Sequence, residues 1–231
     1  MIKRLLLNNR LTSFLMRRLV SLFVCFFLVV ATAAQASSED AVQTVIATLQ
    51  NTLIESSVVS ALEQRVELIQ PVVQSTHDFS AIARLVTGRH WRKLSEPQRD
   101  QFIDVFTKLS VLRYAERFKD LGDSEFQIIE TIPQPRNSLK VLTVLELDSD
   151  ASLAELSSKS ALNFEYILRS VSVGTASSDT QTDVWKIINV VVDGVSDLAL
   201  KRANYVTTIN EQGFDTLIEQ LRGELADARA K

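Results

Sequence analysis

Apolar side chains in the first half of the chain recur at three- and four-residue steps, whereas further on they recur at every second residue. The first spacing predicts helices and the second predicts half-buried strands. Val42, Val45, Ile46, Leu49 and Leu53 predict a helix that Ser37 or Ser38 can cap. Val59, Leu62, Val66, Ile69 and Val73 predict a second, with Pro71 expected to end or kink it. Asp78 is a good N-cap for a short third helix carrying Ile82, Leu85 and Val86 and stopped at Gly88. Ser95-Glu96-Pro97-Gln98 is the clearest start signal, with a capping Ser, a Pro in the first turn and a Gln three residues past the cap. The helix it opens is expected to run to Lys119, with Phe102, Val105, Phe106, Leu109, Leu112 and Phe118 as its apolar positions.

The period then changes to two. Phe126, Ile128, Glu130 and Ile132 alternate with Gln127, Ile129 and Thr131, and Pro133 is expected to break the run. Leu139–Leu147 reads as a second strand. In Leu162–Val171, Leu162, Phe164, Tyr166 and Leu168 share one face, while Asn163, Glu165 and Arg169 share the other. That alternation describes an antiparallel strand with one buried side. Residues 173–182 read as a polar loop, Val184–Val192 as a fourth strand closed by Asp193-Gly194, and about 196–210 and 214–228 as two final helices. Helices, four adjacent strands and helices again predict an α+β domain. Its curved four-stranded antiparallel sheet would be wrapped by N- and C-terminal helices in a nuclear-transport-factor-like cone.

Charge changes this picture at one end. The chain has 25 Lys and Arg against 28 Asp and Glu, but the first 36 residues hold five basic residues (Lys3, Arg4, Arg10, Arg17, Arg18) and no acidic one. From Ser37 onward 20 basic and 28 acidic residues remain, a net charge of −8, which argues against a nucleic-acid partner. The only Cys, Cys25, also lies in this leader. The rest therefore has no disulfide, no thiolate metal ligand and no thiol nucleophile. Leu19–Val30 is an apolar run of 12 residues, preceded by Arg17-Arg18 and followed by Ala-Thr-Ala-Ala-Gln-Ala. It is short for a bilayer span, which needs about 20 residues, and has the length of a signal-peptide core. Ala34 and Ala36 supply the small-x-small cleavage site, so residues 1–36 are expected to be a removed export signal and 37–231 a single domain in the periplasm. The alternative is an uncleaved anchor; Met16 is also a plausible start of a shorter leader.

Little in the mature chain points to catalysis. His77 and His90 lack companions at metal-ligand spacing, and no Gly-rich phosphate loop or nucleophile elbow occurs, so no cofactor and no metal are expected. Cone folds do host enzymes with a buried Asp base and a Tyr donor, roles for which Asp193 and Tyr114 or Tyr166 are candidates. The plainer reading, preferred here, makes Asp193-Gly194 a turn and the tyrosines core residues. The cluster Arg84, Arg89, His90, Arg92, Lys93 and Arg99 stands out in an acidic domain. It reads either as a solvated helix–loop–helix surface or as a docking patch for anionic head groups or an acidic partner, with Arg89, Arg92 and Lys93 as the candidate docking residues.

Asp78-Phe79, Ile82-Ala83-Arg84-Leu85-Val86-Thr87-Gly88-Arg89-His90-Trp91-Arg92, and then Ser95, Gln98-Arg99, Phe102, Phe106, Leu109 and Tyr114, resemble the DF-x-x-(M/I)-A-R-x-V-x-G-x-x-W signature of the toluene-tolerance auxiliary family. These are the MlaC-like periplasmic phospholipid-binding components of Mla-type ABC transport systems. Trp185-Lys186-Ile187, Asp193-Gly194-Val195-Ser196 and Gly213-Phe214-Asp215 are similar to the family's C-terminal part, and the resemblance spans about Ala41 to Leu225. It implies a non-enzymatic carrier of phospholipid between outer and inner membranes. Its partners would be an outer-membrane lipoprotein complex and an inner-membrane ring protein of an ABC transporter. Val195–Tyr205 also resembles the hopanoid-associated branch of the family, which leaves the lipid open.

Moving an acyl chain of about 16 carbons into water costs on the order of 10 kcal/mol, at about 0.8 kcal/mol per methylene, so a carrier needs a continuous apolar lining. The candidates are Phe126, Ile128, Val141, Leu145, Leu162, Phe164, Tyr166 and Leu168 on the sheet, with Phe102, Phe106, Leu109 and Tyr114 on the long helix. A plain packed core would use the same residues. The alternatives to a lipid carrier are a small periplasmic enzyme of cone fold and an adaptor with a solid core that binds only proteins.

Overall fold

The computed structural model describes residues 38–173 and 182–230; the expected leader and cleavage site, and nearly all of the expected polar loop, lie outside the described residues. The chain divides into two units, Met1–Ala41 and Val42–Lys231. Of the first only residues 38–41 are described, as helix, and the second holds the architecture that follows. No helix among the described residues is long and apolar enough to cross a membrane.

The helical layer is assembled from local signals. Helix α1 occupies residues 42–57 of the second unit and buries Val42, Ile46, Leu49 and Leu53 along one stripe. Helix α2 (Leu62–Thr76) starts later than Val59, because the link before it serves another purpose. The carbonyls of Val59 and Ser60 accept hydrogen bonds from the buried guanidinium of Arg65, at 2.6 and 2.7 Å, and Arg65 also donates to the Ala115 carbonyl at 2.9 Å. Pro71 does not end α2, contrary to expectation. Its ring and Glu67, whose carbonyl loses its partner, both lie on the exposed side, where water can satisfy that carbonyl. Helix α3 (Phe79–Thr87) is capped by the Asp78 carboxylate, which accepts from the Ala81 N–H at 2.8 Å, and it stops at Gly88 with φ of 57°. A 3-10 turn at Gly88–Lys93 then leads to α4 (Glu96–Arg117), which opens with a complete capping box between Ser95 and Gln98.

Strands β1 (Glu125–Gln134), β2 (Ser138–Glu146), β3 (Ala161–Val173) and β4 (Thr182–Val192) form an antiparallel meander, with the short helix α5 (Ser152–Ser157) between β2 and β3. A fifth strand of two residues, β5 (Val195–Ser196), adds to the expected four. It folds back through Asp193 (φ 48°) and Gly194 (φ 81°), the pair of positive angles a tight two-residue hairpin demands. Pro133 does not break β1, because β1 is an edge strand and can leave one N–H position unpaired. The expected alternation fails beyond Ile128: a bulge between Ile128 and Glu130 ejects Ile129 and brings Thr131, not Glu130, opposite Val141. A second slip in the β3–β4 pairing, between Ile167 and Leu168, skips Ile188.

One face of this sheet is buried. Val141, Thr143 and Leu145 of β2, Leu162, Phe164, Tyr166 and Leu168 of β3, and Ile187 of β4 all point into the core. Helices α6 (Asp197–Gln212) and α7 (Phe214–Arg229) complete the layer, Ser196 capping α6 through the Ala199 N–H at 3.1 Å. Gly213, with φ of 92°, is the single residue between these two helices.

Asp78 joins the two layers. One oxygen caps α3 and the other accepts from Arg169 of β3 at 3.0 Å. Asp78→Asn keeps a good cap and removes only the partly exposed ion pair, so it should cost less than about 1 kcal/mol. Asp78→Ala loses the cap as well and should cost about 1 kcal/mol more. Urea unfolding midpoints of the two variants check this order.

Candidate functional site

The twelve apolar candidates come together. Phe102 and Phe106 stack at 5.6 Å between ring centres on α4, and Phe106 meets Phe79 of α3 edge-on at 6.1 Å. Farther along α4, Tyr114 stacks on Phe118, which faces both Phe126 of β1 (6.2 Å) and Phe164 of β3 (6.1 Å). Phe164 in turn stacks on Tyr166 at 6.0 Å. The two halves are joined by His77, whose ring stacks on Phe79 at 5.5 Å and meets Tyr114 at 5.6 Å. The result is one aromatic seam between helices and sheet, each contact in the range where ring pairs add about 0.5–1.5 kcal/mol beyond area burial. Leu109, Val141, Leu145, Leu162 and Leu168 belong to the same core, with Ile128 packed at its margin.

The middle of the seam is closed. Side chains lining an open, lipid-sized cavity would be reached by water, yet Phe102, Val141, Leu145 and Leu168 have 0% of their surface accessible, whereas Tyr114, Phe126 and Ile128 of the same set are partly exposed. A hollow of about 240 Å³ does exist among the described residues, but it is lined by Asp123, Glu125, Glu146, Leu147 and Asp148. Four carboxylates suit no acyl chain, and none of the twelve candidates lines it.

Two sets of polar groups lie inside the apolar layer; His77, Tyr114 and Tyr166 were singled out in the sequence, but not the partners they meet here, nor Gln50 and Thr143. The first is His77. Its Nδ1 lies 3.0 Å from the Val73 carbonyl, which can only accept, so Nδ1 carries the hydrogen. Nε2 is then the acceptor, and Tyr114 donates its hydroxyl to it at 3.1 Å. Burial lowers the imidazole pKa to about 4, and nearby Lys186 adds to the effect against the opposing bond to Val73. Burial likewise raises the Tyr114 hydroxyl well above its ordinary value. The second set is Gln50 of α1 with Thr143 and Tyr166. Gln50 Nε2 donates to Thr143 Oγ1 at 3.0 Å, and its amide also hydrogen-bonds the Tyr166 hydroxyl. Gln50 and Thr143 are 93 residues apart, so no local spacing signals their meeting.

Asp193 is placed where the plainer reading put it. It sits in the β4–β5 turn, accepting from Lys159 at 2.7 Å and from Asn163 through both its backbone N–H and side-chain amide. These bonds hold its carboxyl down at about 2, the wrong direction for a general base, and both candidate tyrosines are engaged in the core. Among the described residues no group of His, Asp and Glu is arranged to hold a metal ion.

The basic cluster is carried by α3, the 3-10 turn and the start of α4. Arg84, Arg92 and Lys93 are exposed and have no ion pair among the described residues. Arg89 donates to Asn210 of α6 at 3.1 Å. Arg202 of α6 joins them, its guanidinium lying against Gly88 at ordinary contact distance. Arg99 donates to the Trp91 carbonyl and lies over the Trp91 ring at 5.4 Å, which anchors the 3-10 turn.

A family model described as MlaC protein matches residues 39–223. No curated protein matches the chain. Among solved structures, the phospholipid-binding protein from Ralstonia solanacearum, solved in complex with a phospholipid, is similar with a TM-score of 0.60. The match has 17% identity and covers 85% of this chain and 98% of that one, so the likeness is one of fold.

The depressed pKa of His77 makes stability depend on pH with a definite sign. Because the folded state favours the neutral ring, the unfolded chain takes up the proton first, and stability is lost as pH falls from about 6.5 towards 4. The full loss is about 3 kcal/mol, at about 1.4 kcal/mol per unit. His77→Gln, which can still donate to Val73 and accept from Tyr114, should flatten that part of the curve. Chemical denaturation at a series of pH values measures it; an unchanged slope in the variant would remove His77 as the cause.

Proposed function

The chain belongs to the MlaC family, and from that premise we propose that it is a periplasmic carrier that takes up phospholipid between its sheet and its helices. The observation that carries this reading is the match over residues 39–223 to that family. The aromatic seam supplies the apolar material, and the phospholipid bound by the Ralstonia solanacearum protein of the same fold is a guide to the cargo. The protein acts by binding and release, without chemistry on the lipid. It is the soluble component of an Mla-type transport system, loading and unloading at an outer-membrane lipoprotein complex and at an inner-membrane ring protein coupled to an ATPase.

Loading requires movement. A pocket for such a ligand measures several hundred Å³, on the order of 300–1,000 Å³, whereas the seam is shut. The sheet and helix layers therefore part, with Phe102, Phe106, Leu109, Tyr114, Phe126, Ile128, Val141, Leu145, Leu162, Phe164, Tyr166 and Leu168 exchanging contacts with each other for contacts with acyl chains. The exchange is nearly balanced in apolar area, which lets cargo enter without unfolding the domain.

Arg89, Arg92 and Lys93 form the docking surface for the partners. A local positive field on an acidic domain speeds encounter with an anionic surface and fixes its orientation.

Protein purified from its periplasm and analysed by native mass spectrometry, with organic extraction, should carry near-stoichiometric phospholipid. A lipid-free protein that also takes up none from vesicles would sink the carrier reading. Reversing Arg89, Arg92 and Lys93 to Glu should weaken capture of the partner proteins at least tenfold at low salt and leave co-purified lipid unchanged. Undiminished capture would return the cluster to an ordinary solvated surface.

A further inference from the structure

We propose that Gln50, Thr143 and Tyr166 form a subsite that reads an ester carbonyl of the bound lipid, so that the preferred cargo is an ester-linked glycerolipid. The proposal rests on the carrier reading above and narrows its substrate. The three side chains come from α1, β2 and β3, all are nearly inaccessible to water, and they sit on a sheet face otherwise built from Val141, Leu145, Leu162, Phe164 and Leu168.

Stability alone gives no reason for polar groups there. Leu, Val and Phe at these positions would fill the same space, and replacing both members of a buried hydrogen-bonded pair by apolar groups of the same shape is close to neutral. The bond from Gln50 to Thr143 spans the interface between helix and sheet that must part for a lipid to enter. Separation by the thickness of one acyl chain carries the two groups out of hydrogen-bond reach. Pure hydrocarbon in the gap would then strand a buried amide and two hydroxyls, which is costly. A ligand with an acceptor at that depth removes the cost.

The chemistry of the trio identifies the acceptor. Gln50 offers amide hydrogens and Tyr166 a neutral hydroxyl, which burial keeps far from ionising. Thr143 accepts from Gln50, so its own O–H is not consumed in that bond, and no acceptor takes it among the described residues. Neutral donors with no cation beside them suit a carbonyl. A phosphate at that depth would need charge compensation, which this face does not provide. The ester oxygens of a glycerolipid lie between head group and chains and meet this requirement; a polycyclic hydrocarbon cargo of the hopanoid kind does not.

The test compares dipalmitoyl phosphatidylglycerol with its dihexadecyl ether analogue, which has the same charge and chains but no carbonyl. The delipidated wild-type protein should bind the ester at least tenfold more tightly. In the double variant Gln50→Leu with Thr143→Val that preference should fall below twofold, with ether binding retained. Thr143→Val alone, which is isosteric, and Tyr166→Phe serve where the double variant does not fold, and each should reduce the preference severalfold. Equal binding of both lipids by the wild type would overturn the ester subsite while leaving the carrier intact. A preference that survives unchanged in all variants would overturn its assignment to these residues. Failure to bind either lipid would instead overturn the carrier reading beneath it.

Discussion

The break between α2 and α3 is held by one residue, and the relation of the helices to the sheet depends on it. His77 pairs its backbone with Ile187 of β4, and the next N–H, that of Asp78, donates to the Ile187 carbonyl at 3.0 Å. The ring of His77 meanwhile bonds back to Val73 of α2, accepts from Tyr114 of α4 and stacks on Phe79 of α3. A strand-like residue between two helices thus ties three helices to the sheet's fourth strand. The arrangement works only with a neutral imidazole, since a buried cation would find no carboxylate partner among the residues that contact it and would face Lys186. Lys186 and Arg169 brace the same joint from β4 and β3, donating to the Ser75 carbonyl and to Asp78.

From that joint the seam runs both ways. Rings pack with directional but individually modest contacts. Among the described residues the polar ties across the layers include Gln50 to Thr143, Gln43 to Thr131 at 3.1 Å, the Asp78–Arg169 pair, Lys186 to the Ser75 carbonyl and the Asp78 N–H to the Ile187 carbonyl. Those at Gln43 and Gln50 are spaced two helical turns apart on α1 and reach adjacent strands, so they fix the register of that helix on the sheet.

What was legible in the sequence was what neighbours in the chain decide. The Ser95 capping box, the Asp78 cap, the stop at Gly88 and the inward face of β3 all follow from residues within a few positions of one another. The errors also had local causes that a tertiary context overrode. Pro71 and Pro133 were read as breakers, and each survives because its lost N–H lies where no partner is needed. The bulge at Ile129 was invisible because alternation through Ile132 looked uninterrupted, and only pairing with β2 shows that the strand slips by one residue. The twelve apolar candidates were found by period, and they do meet. Gln50 and Thr143 at the heart of the same layer were missed, because a Gln and a Thr carry no periodic signal of burial.

The closed seam also bears on how a carrier of this kind must work. An empty apolar cavity costs about 24 cal/mol per Å³, so holding about 400 Å³ open without cargo would cost on the order of 10 kcal/mol. That is comparable with the whole stability of a typical domain, about 5–15 kcal/mol. No cross-link offsets such a cost, because the only Cys of the chain, Cys25, lies before the described residues. Collapse onto Phe102, Phe106, Phe164 and their neighbours is therefore the expected empty state, not an argument against a cargo. It follows that part of the free energy of lipid binding is consumed in reopening the seam. A partner that holds the layers slightly apart would lower that cost and favour loading, whereas release from it would favour the closed form. On the carrier reading, the direction of transfer would be set by which partner opens the seam, and the core itself would need no preference for either membrane.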